Sequence, residues 1–290
     1  MESIKYKVFG MNRLMVNNIS KNYGILKKKV VLNKLSLEVN EGNCVCIVGK
    51  NGAGKSTLLK IICGLVPPTE GKIEITKFIS YVPELSIGYK ELNAIENLSY
   101  YDKIMEYTGD YKKWVTNFNL AGNSSQLKFF SKGMKRKVDL IRALNGRPKL
   151  IVMDEPFEGL DPSICSEVIL IIRDLIKSNV SVLLTSHSMD YIEKVATSIL
   201  LLKNGQLTPL LNWESKVVLR ISGNLDTLSN SPIIKKLERL DESTAKITCD
   251  RNDLVNLMGI LLKNGFEVSF LEQVDLGDLI IEELKNDKQK

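Results

Sequence analysis

The chain has a single histidine, and its five cysteines (Cys44, Cys46, Cys63, Cys165 and Cys249) include no C-x-x-C pair. A structural zinc centre needs about four clustered thiolate or imidazole ligands, so none is expected. An odd cysteine count, with Cys44 and Cys46 alternating in an apolar run, fits reduced thiols acting as small hydrophobes. Long apolar stretches are also missing. The opening Met1-Glu2-Ser3-Ile4-Lys5 has no signal-peptide pattern, and runs such as Val168 to Ile172 fall far short of a membrane span. The net charge of +6 comes with no aromatic-interleaved basic groove, recognition-helix signature or RNA-binding motif, so no nucleic-acid partner is expected. Basic clusters at Lys27-Lys28-Lys29 and Lys132 to Lys137 read as solvated loop or helix faces. A 290-residue chain with 44% hydrophobic residues then reads as a soluble, intracellular protein of more than one domain.

What is present is a phosphate cradle. Residues 49 to 57 read GKNGAGKST, which satisfies G-x-x-x-x-G-K-[ST] at Gly49, Gly54, Lys55 and Ser56. The β-type run Cys44-Val45-Cys46-Ile47-Val48 leads into it, and a helical pattern follows from Thr57 to Ile62. Glycines let backbone N–H groups turn inward around an anion, and the helix aims its positive end at the same point. Gly49, Asn51, Gly52, Ala53, Gly54, Lys55, Ser56 and Thr57 are therefore the expected nucleotide contacts. Lys55 would reach the β- and γ-phosphates, and the Ser56 hydroxyl would take one Mg²⁺ position.

Further β-type runs fall at Leu14 to Ile19, Val30 to Val39, Lys72 to Ile75 and Phe78 to Val82. From about Leu92 to Asn145 the pattern turns helical, with breaks near Gly109 and Gly122, and reads as a helical insert. A buried-type strand Leu150 to Met153, a helix from Ser163 to about Lys177 and a second buried-type strand Val180 to Leu184 follow. That alternation predicts a parallel sheet. A short helix near Met189 to Val195 comes next, and Asn204-Gly205 between Ile199 to Lys203 and Gln206 to Leu210 is a hairpin turn signal. Asp154 and Glu155 lie just beyond the carboxyl edge of the strand at 150 to 153, where open α/β sheets bind ligands. Asp154 can hold Mg²⁺, and Glu155 can polarise a water attacking the γ-phosphate. A plain strand-ending carboxylate pair is the other reading of those two residues.

Tyr23, GKNGAGKST, Ser131-Lys132-Gly133-Met134, LIVMDEP at 150 to 156, Gly159-Leu160-Asp161 and Thr185-Ser186-His187 stand in this order. In that order the chain resembles the ATP-binding subunit of an ABC transporter over about residues 12 to 210. The resemblance implies that Tyr23 stacks on adenine, and that Ser131, Gly133 and Met134 at a helix start contact the γ-phosphate of ATP held by a second subunit. It places Asp161 at the dimer seam and makes His187 a switch that hydrogen-bonds the γ-phosphate. The residues themselves leave packing open for Tyr23, ordinary helix caps open for Ser131 and Asp161, and a merely satisfied polar side chain open for His187. Two departures from the common pattern stand out. Glu84 follows Tyr81-Val82-Pro83 where many members carry a Mg²⁺-sensing glutamine, and a carboxylate can ligate Mg²⁺. Lys132 and Met134 replace the usual glycine and glutamine, which resembles the export branch with separate six-helix permeases.

The expected architecture is an α/β P-loop NTPase of ABC type over residues 12 to 211, a mixed sheet with a helical insert at about 92 to 145, followed by a small accessory α/β module over 213 to 290. The module reads as strands Lys216 to Ile221, Ala245 to Cys249 and Phe266 to Leu271, with helices Pro232 to Leu240, Asp253 to Lys263 and Asp275 to Leu284. Met258 to Leu262 reads as a core stripe, and Lys285 to Lys290 as a frayed end. The expected function is ATP hydrolysis by a homodimer that binds ATP and Mg²⁺. It would drive an integral membrane permease from the cytoplasmic face of the membrane, in the efflux direction. The alternative is a soluble ABC-type ATPase acting on ribosomes or DNA, although such proteins usually carry two cassettes, zinc modules or coiled coils that this chain lacks.

Overall fold

The fold is taken from a computed structural model that describes residues 4–6, 12–24, 29–106, 109–120, 122–210, 216–225, 233–250 and 253–273. The chain divides into two compact units, Met1–Pro209 and Leu210–Lys290.

The first unit opens with strands β1 (Ile4–Tyr6), β2 (Asn12–Tyr23), β3 (Lys29–Asn40) and β4 (Cys44–Val48), then helix α1 (Lys55–Ile62). Strands β5 (Glu70–Ile75) and β6 (Ile79–Val82) follow, then helices α2 (Ala94–Met105), α3 (Tyr111–Asn117) and α4 (Lys132–Asn145). The unit continues through β7 (Leu150–Met153), α5 (Pro162–Lys177), β8 (Ser181–Thr185), α6 (Met189–Ile192), β9 (Ser198–Lys203) and β10 (Gln206–Pro209). Strands pair into two sheets, one in the order β1-β5-β2-β3 and one in the order β10-β9-β4-β8-β7-β6. In the six-stranded sheet every pairing is parallel except that of β10, which returns on β9 through Asn204 and Gly205, both at positive φ. That backbone is what a two-residue hairpin turn requires.

Helix α1 lies within a core shared by both sheets. Its Leu58, Leu59, Ile61 and Ile62 are buried together with Leu14 and Ile73 of one sheet and Ile47, Val152 and Leu183 of the other. These four apolar side chains face the core while Lys60 stays exposed, and burial of each contributes about 1.5–3 kcal/mol. All of β4, β7 and β8 is buried, which accounts for continuous apolar runs in place of alternation. Because β4, β6, β7 and β8 run parallel, their carboxyl ends meet along one edge, and the chain leaves that edge at Gly49, Pro83, Asp154 and Ser186. Among the described residues no helix is long and apolar enough to cross a membrane.

The second unit contains β11 (Lys216–Ser222), β12 (Lys236–Arg239), β13 (Thr244–Asp250), α7 (Leu254–Lys263) and β14 (Glu267–Gln273), in an antiparallel sheet of order β12-β13-β11-β14. Leu219, Ile221, Ala245 and Ile247 form a core with Leu257, Leu261 and Phe266. The helix expected at 232 to 240 is instead strand β12. Its apolar spacing at Ile234, Leu237 and Leu240 suits a helix, but the open edge of β13 supplies backbone partners, with Leu237 opposite Ile247 and Glu238 opposite Lys246. The stripe at Met258 to Leu262 also differs, since Leu261 is buried while Leu262 points out, and Leu257 takes the inward position. The expected helix at 275 to 284, the tail at 285 to 290 and the boundary at 211 to 213 lie outside the described residues.

Candidate functional site

A cleft of about 420 Å³ opens at the edge where the parallel strands end. One wall is the loop after β4 with the start of α1, contributing Asn51, Gly52, Gly54, Lys55, Ser56 and Thr57. Glu84, Glu155, Glu158 and His187 form the facing wall, and Val31 of β3 closes one side.

Two glycines of this loop have no substitute. A Cβ at Gly49 would sit 2.5 Å from the carbonyl oxygen of Leu202 on β9, so the loop lies directly on the neighbouring strand. Gly54 has φ of 108° and would press a Cβ to 2.9 Å from Val31. Gly54 also serves as the cap of α1 without any side-chain hydrogen bond, which leaves the first N–H groups of the helix without a side-chain acceptor. An anion is the partner such a helix end takes. Lys55 is buried, donates from Nζ to the Gly49 carbonyl at 2.9 Å and lies 3.5 Å from Oε1 of Glu155.

Across the cleft, Thr185 at the end of β8 fixes the two acidic residues. Its hydroxyl donates to Oδ1 of Asp154 at 2.7 Å and accepts the N–H of Glu155 at 3.0 Å. Asp154 is buried beneath the cleft and outside its lining, whereas Glu155 reaches the surface of it. Glu155 has φ of 45°, a left-handed conformation uncommon for a long side chain, which turns the chain sharply after β7. His187 places Nδ1 3.0 Å from Oε2 of Glu155 and Nε2 2.9 Å from Oε2 of Glu158. Cys63, at the end of α1, has its thiol pushed up to about 12, mainly by burial and then by the charge of Asp154.

Two contributors escaped the sequence reading. Glu158 is one, a carboxylate in the turn after Glu155 whose N–H returns to the Glu155 carbonyl at 3.2 Å. The other is Arg136, only 3% exposed. Its guanidinium donates to the carbonyls of Pro83 at 2.7 Å, Glu84 at 3.0 Å and Glu155 at 3.4 Å. Burial pulls its pKa below the usual arginine value, and nearby Asp139 opposes that shift. The basic stretch from Lys132 to Lys137 is therefore not a solvated face throughout. Lys132 is exposed, but Arg136 and Lys137 turn inward, Lys137 pairing with Glu167 of α5 at 2.7 Å. The signal available in the sequence was their position on the inward face of an amphipathic α4, where carbonyls at the ends of β6 and β7 need donors. In the other cluster, Lys29 is exposed and the residues at 27 and 28 are outside the described set.

The remaining expected residues lie away from the cleft lining. Tyr23 is exposed at the end of β2, with the Lys21 ammonium 5.0 Å from its ring centre. Gly49 and Ala53 lie in the cradle loop behind the lining. Ser131 is exposed and caps α4, its hydroxyl accepting the Met134 N–H at 3.2 Å. Gly133 is buried against Ile164 of α5, and Met134 is half-buried. Asp161 is exposed and caps α5, accepting from the N–H groups of Ser163 and Ile164 at 3.1 Å each.

The model of the family described as ABC transporter matches residues 32–158. The linearmycin resistance ATP-binding protein of Bacillus subtilis is 32% identical over 212 residues, covering 67% of each chain. An uncharacterized ABC transporter ATP-binding protein of Methanocaldococcus jannaschii is 27% identical over 277 residues, 93% of this chain and 99% of the relative. Among solved structures, an ATP-binding cassette in a dimeric, post-hydrolysis state with ADP and Pi superposes with a TM-score of 0.62 at 24% identity, over 67% of this chain and 96% of that one. With a relative 32% identical over two thirds of its length and the family model matched over the cradle and the strand-ending carboxylates, this chain belongs to the ATP-binding ATPases of the ABC transporter family.

Proposed function

We propose that two copies of this chain close on ATP and drive a separate integral membrane permease in the efflux direction. The division of the site carries this reading. Lys55, Glu155 and His187 converge on one cleft, while the capped start of α4 at Ser131 lies outside it. A γ-phosphate at Lys55 would keep one side open, and a second copy packed head to tail would cover it with Ser131, Met134, Asp161 and the backbone at Gly133. The dimeric state of the similar cassette supports that arrangement.

In each site Glu155 polarises the attacking water, His187 hydrogen-bonds the γ-phosphate and Tyr23 stacks on adenine. Ser56 and Asp154 offer the hard oxygen donors that Mg²⁺ takes, with Glu84 as a further carboxylate on the cleft wall. An Mg²⁺ ion held by these residues would neutralise phosphate charge during the reaction.

The surface beside Glu84 fits an apolar partner. Leu85, Ile87, Tyr89, Ile95, Tyr100 and Ile104 are exposed on the loop after β6 and on α2. The loop is held to the helix by the buried Asn97, whose amide donates to the Tyr89 carbonyl at 3.0 Å and accepts the Tyr89 N–H at 2.7 Å. A permease docked there would place the chain at the cytoplasmic face of the membrane. Efflux is supported by the resistance role in the name of the Bacillus relative and by Lys132 and Met134 in the signature segment. The test is detergent extraction of membranes containing the tagged chain, with Glu155→Gln sedimented alongside. A polytopic membrane protein in the extract and an ATP-dependent dimer of the variant are expected. Recovery with ribosomes alone, or a variant that stays monomeric with ATP, would overturn the reading.

A further inference from the structure

We propose that Glu158 is a latch on His187, a positioning residue that holds the ring away from the γ-phosphate until ATP displaces it. Both ring nitrogens are engaged, Nδ1 by Glu155 at 3.0 Å and Nε2 by Glu158 at 2.9 Å. Ionised carboxylates only accept hydrogen bonds, so whichever ring nitrogen carries a proton is turned toward a carboxylate and does not offer it to the cleft. A phosphate oxygen is also only an acceptor here, and it must compete with a carboxylate for the same ring proton.

The contact is built to be exchanged. The His187 side chain is 53% exposed and that of Glu158 39%, whereas that of Glu155 is 10% exposed. Of the two carboxylates on the ring, Glu158 is the one at the mouth, free to swing into water. It also adds a third carboxylate to a wall that already carries Glu84 and Glu155, against the one lysine of the lining. An entering γ-phosphate therefore meets like charge as well as an occupied donor. ADP, which ends one phosphate short, meets less of either. Glu158 directly precedes Gly159 and stands three residues before the α5 cap Asp161, within the segment that would face a second copy.

This inference rests on the proposed contact between His187 and the γ-phosphate. The experiment titrates the full chain with Mg²⁺–ATP and with Mg²⁺–ADP in five forms: unmodified, Glu158→Ala, Glu158→Gln, His187→Ala and Glu158→Ala with His187→Ala. Thermal melting confirms that each form is folded. With a latch, Glu158→Ala tightens ATP relative to ADP by about threefold or more, the scale of one ring hydrogen bond freed for the phosphate. Glu158→Gln, which keeps an acceptor for Nε2–H without the charge, falls between. In the His187→Ala background the gain shrinks to less than half. An unchanged ATP-to-ADP ratio in Glu158→Ala, or a gain of equal size without His187, overturns the latch while nucleotide binding by the unmodified chain stands. Failure of the unmodified chain to prefer ATP with His187 present, unchanged in His187→Ala, overturns the underlying contact and the latch with it.

Discussion

The ammonium of Lys55 donates to the carbonyl of Gly49 at 2.9 Å and lies 3.5 Å from Oε1 of Glu155, so one cation spans the loop and the acidic wall of the cleft. In the proposed ATP site, the triphosphate has to draw that cation off Glu155. Lys55→Ala is expected to weaken ATP binding about 10- to 100-fold, the range for a lost hydrogen bond to a charged group. Equilibrium dialysis with labelled ATP measures it. Undiminished binding would remove Lys55 from the proposed site.

Glu155→Gln keeps the size of the side chain and relieves the pull on Lys55. ATP is expected to bind at least as tightly as to the unmodified chain, with phosphate release slowed about 10²- to 10⁴-fold, the usual contribution of a general base. Steady-state phosphate release and nucleotide affinity, measured on one preparation, separate the two effects. Turnover at the unmodified rate would assign water activation to another group.

Arg136 ties α4 to the ends of β6 and β7 through three carbonyls, and it does so with a planar fork that lysine cannot copy. Arg136→Lys is expected to lower unfolding stability by about 2 kcal/mol, the scale of charged hydrogen bonds lost in a buried setting. It should also lower kcat more than it raises KM, because Glu84 and Glu155 lose their backbone anchor. Thermal melting with ATPase kinetics reads both. A variant with unchanged melting and unchanged kcat would show that the carbonyls do not need the fork.

Cys63 has its thiol raised to about 12. At pH 8 almost none of it is thiolate, the form that alkylates. Iodoacetamide is expected to leave Cys63 unmodified in the folded chain and to label it after denaturation, with peptide mass spectrometry as the readout. Stoichiometric labelling of the native protein at pH 8 would contradict that assignment.

Asp241 accepts the N–H groups of Ser243 at 2.8 Å and Thr244 at 2.7 Å, and its other oxygen takes the Thr244 hydroxyl, which lowers its carboxyl to about 2. The folded value lies below the unfolded value of about 3.9. The carboxylate therefore favours the folded turn above about pH 4, and that contribution disappears as pH falls through about 2. NMR titration of the Asp241 carboxyl should give a midpoint near 2, and Asp241→Asn should remove this part of the acid sensitivity of the β12–β13 turn. A midpoint near 4 would mean that the turn does not hold the carboxylate.

Much of the cassette could be read in one dimension because its signals are local. The cradle after β4, the acidic end of β7 and the histidine two residues past β8 each combine an apolar run with a residue type that follows it directly, and the parallel sheet brings those three ends to one edge. Glu158 and Arg136 had no strand-end signal of this kind, since Glu158 acquires its role from His187, 29 residues away, and Arg136 from carbonyls 19 to 53 residues away. Strand β12 was missed for a related reason. Its own spacing of apolar residues suits a helix, and only the unpaired edge of β13 decides against one.

Ser131 uses its hydroxyl oxygen to accept the Met134 N–H, and that leaves the hydroxyl proton unspoken for. A hydroxyl arranged this way can hold the first turn of its helix and give its hydrogen to an outside oxygen at the same moment. Pairing of two chains would then demand no unwinding at this point, and separation after hydrolysis would return the helix to the conformation it never left.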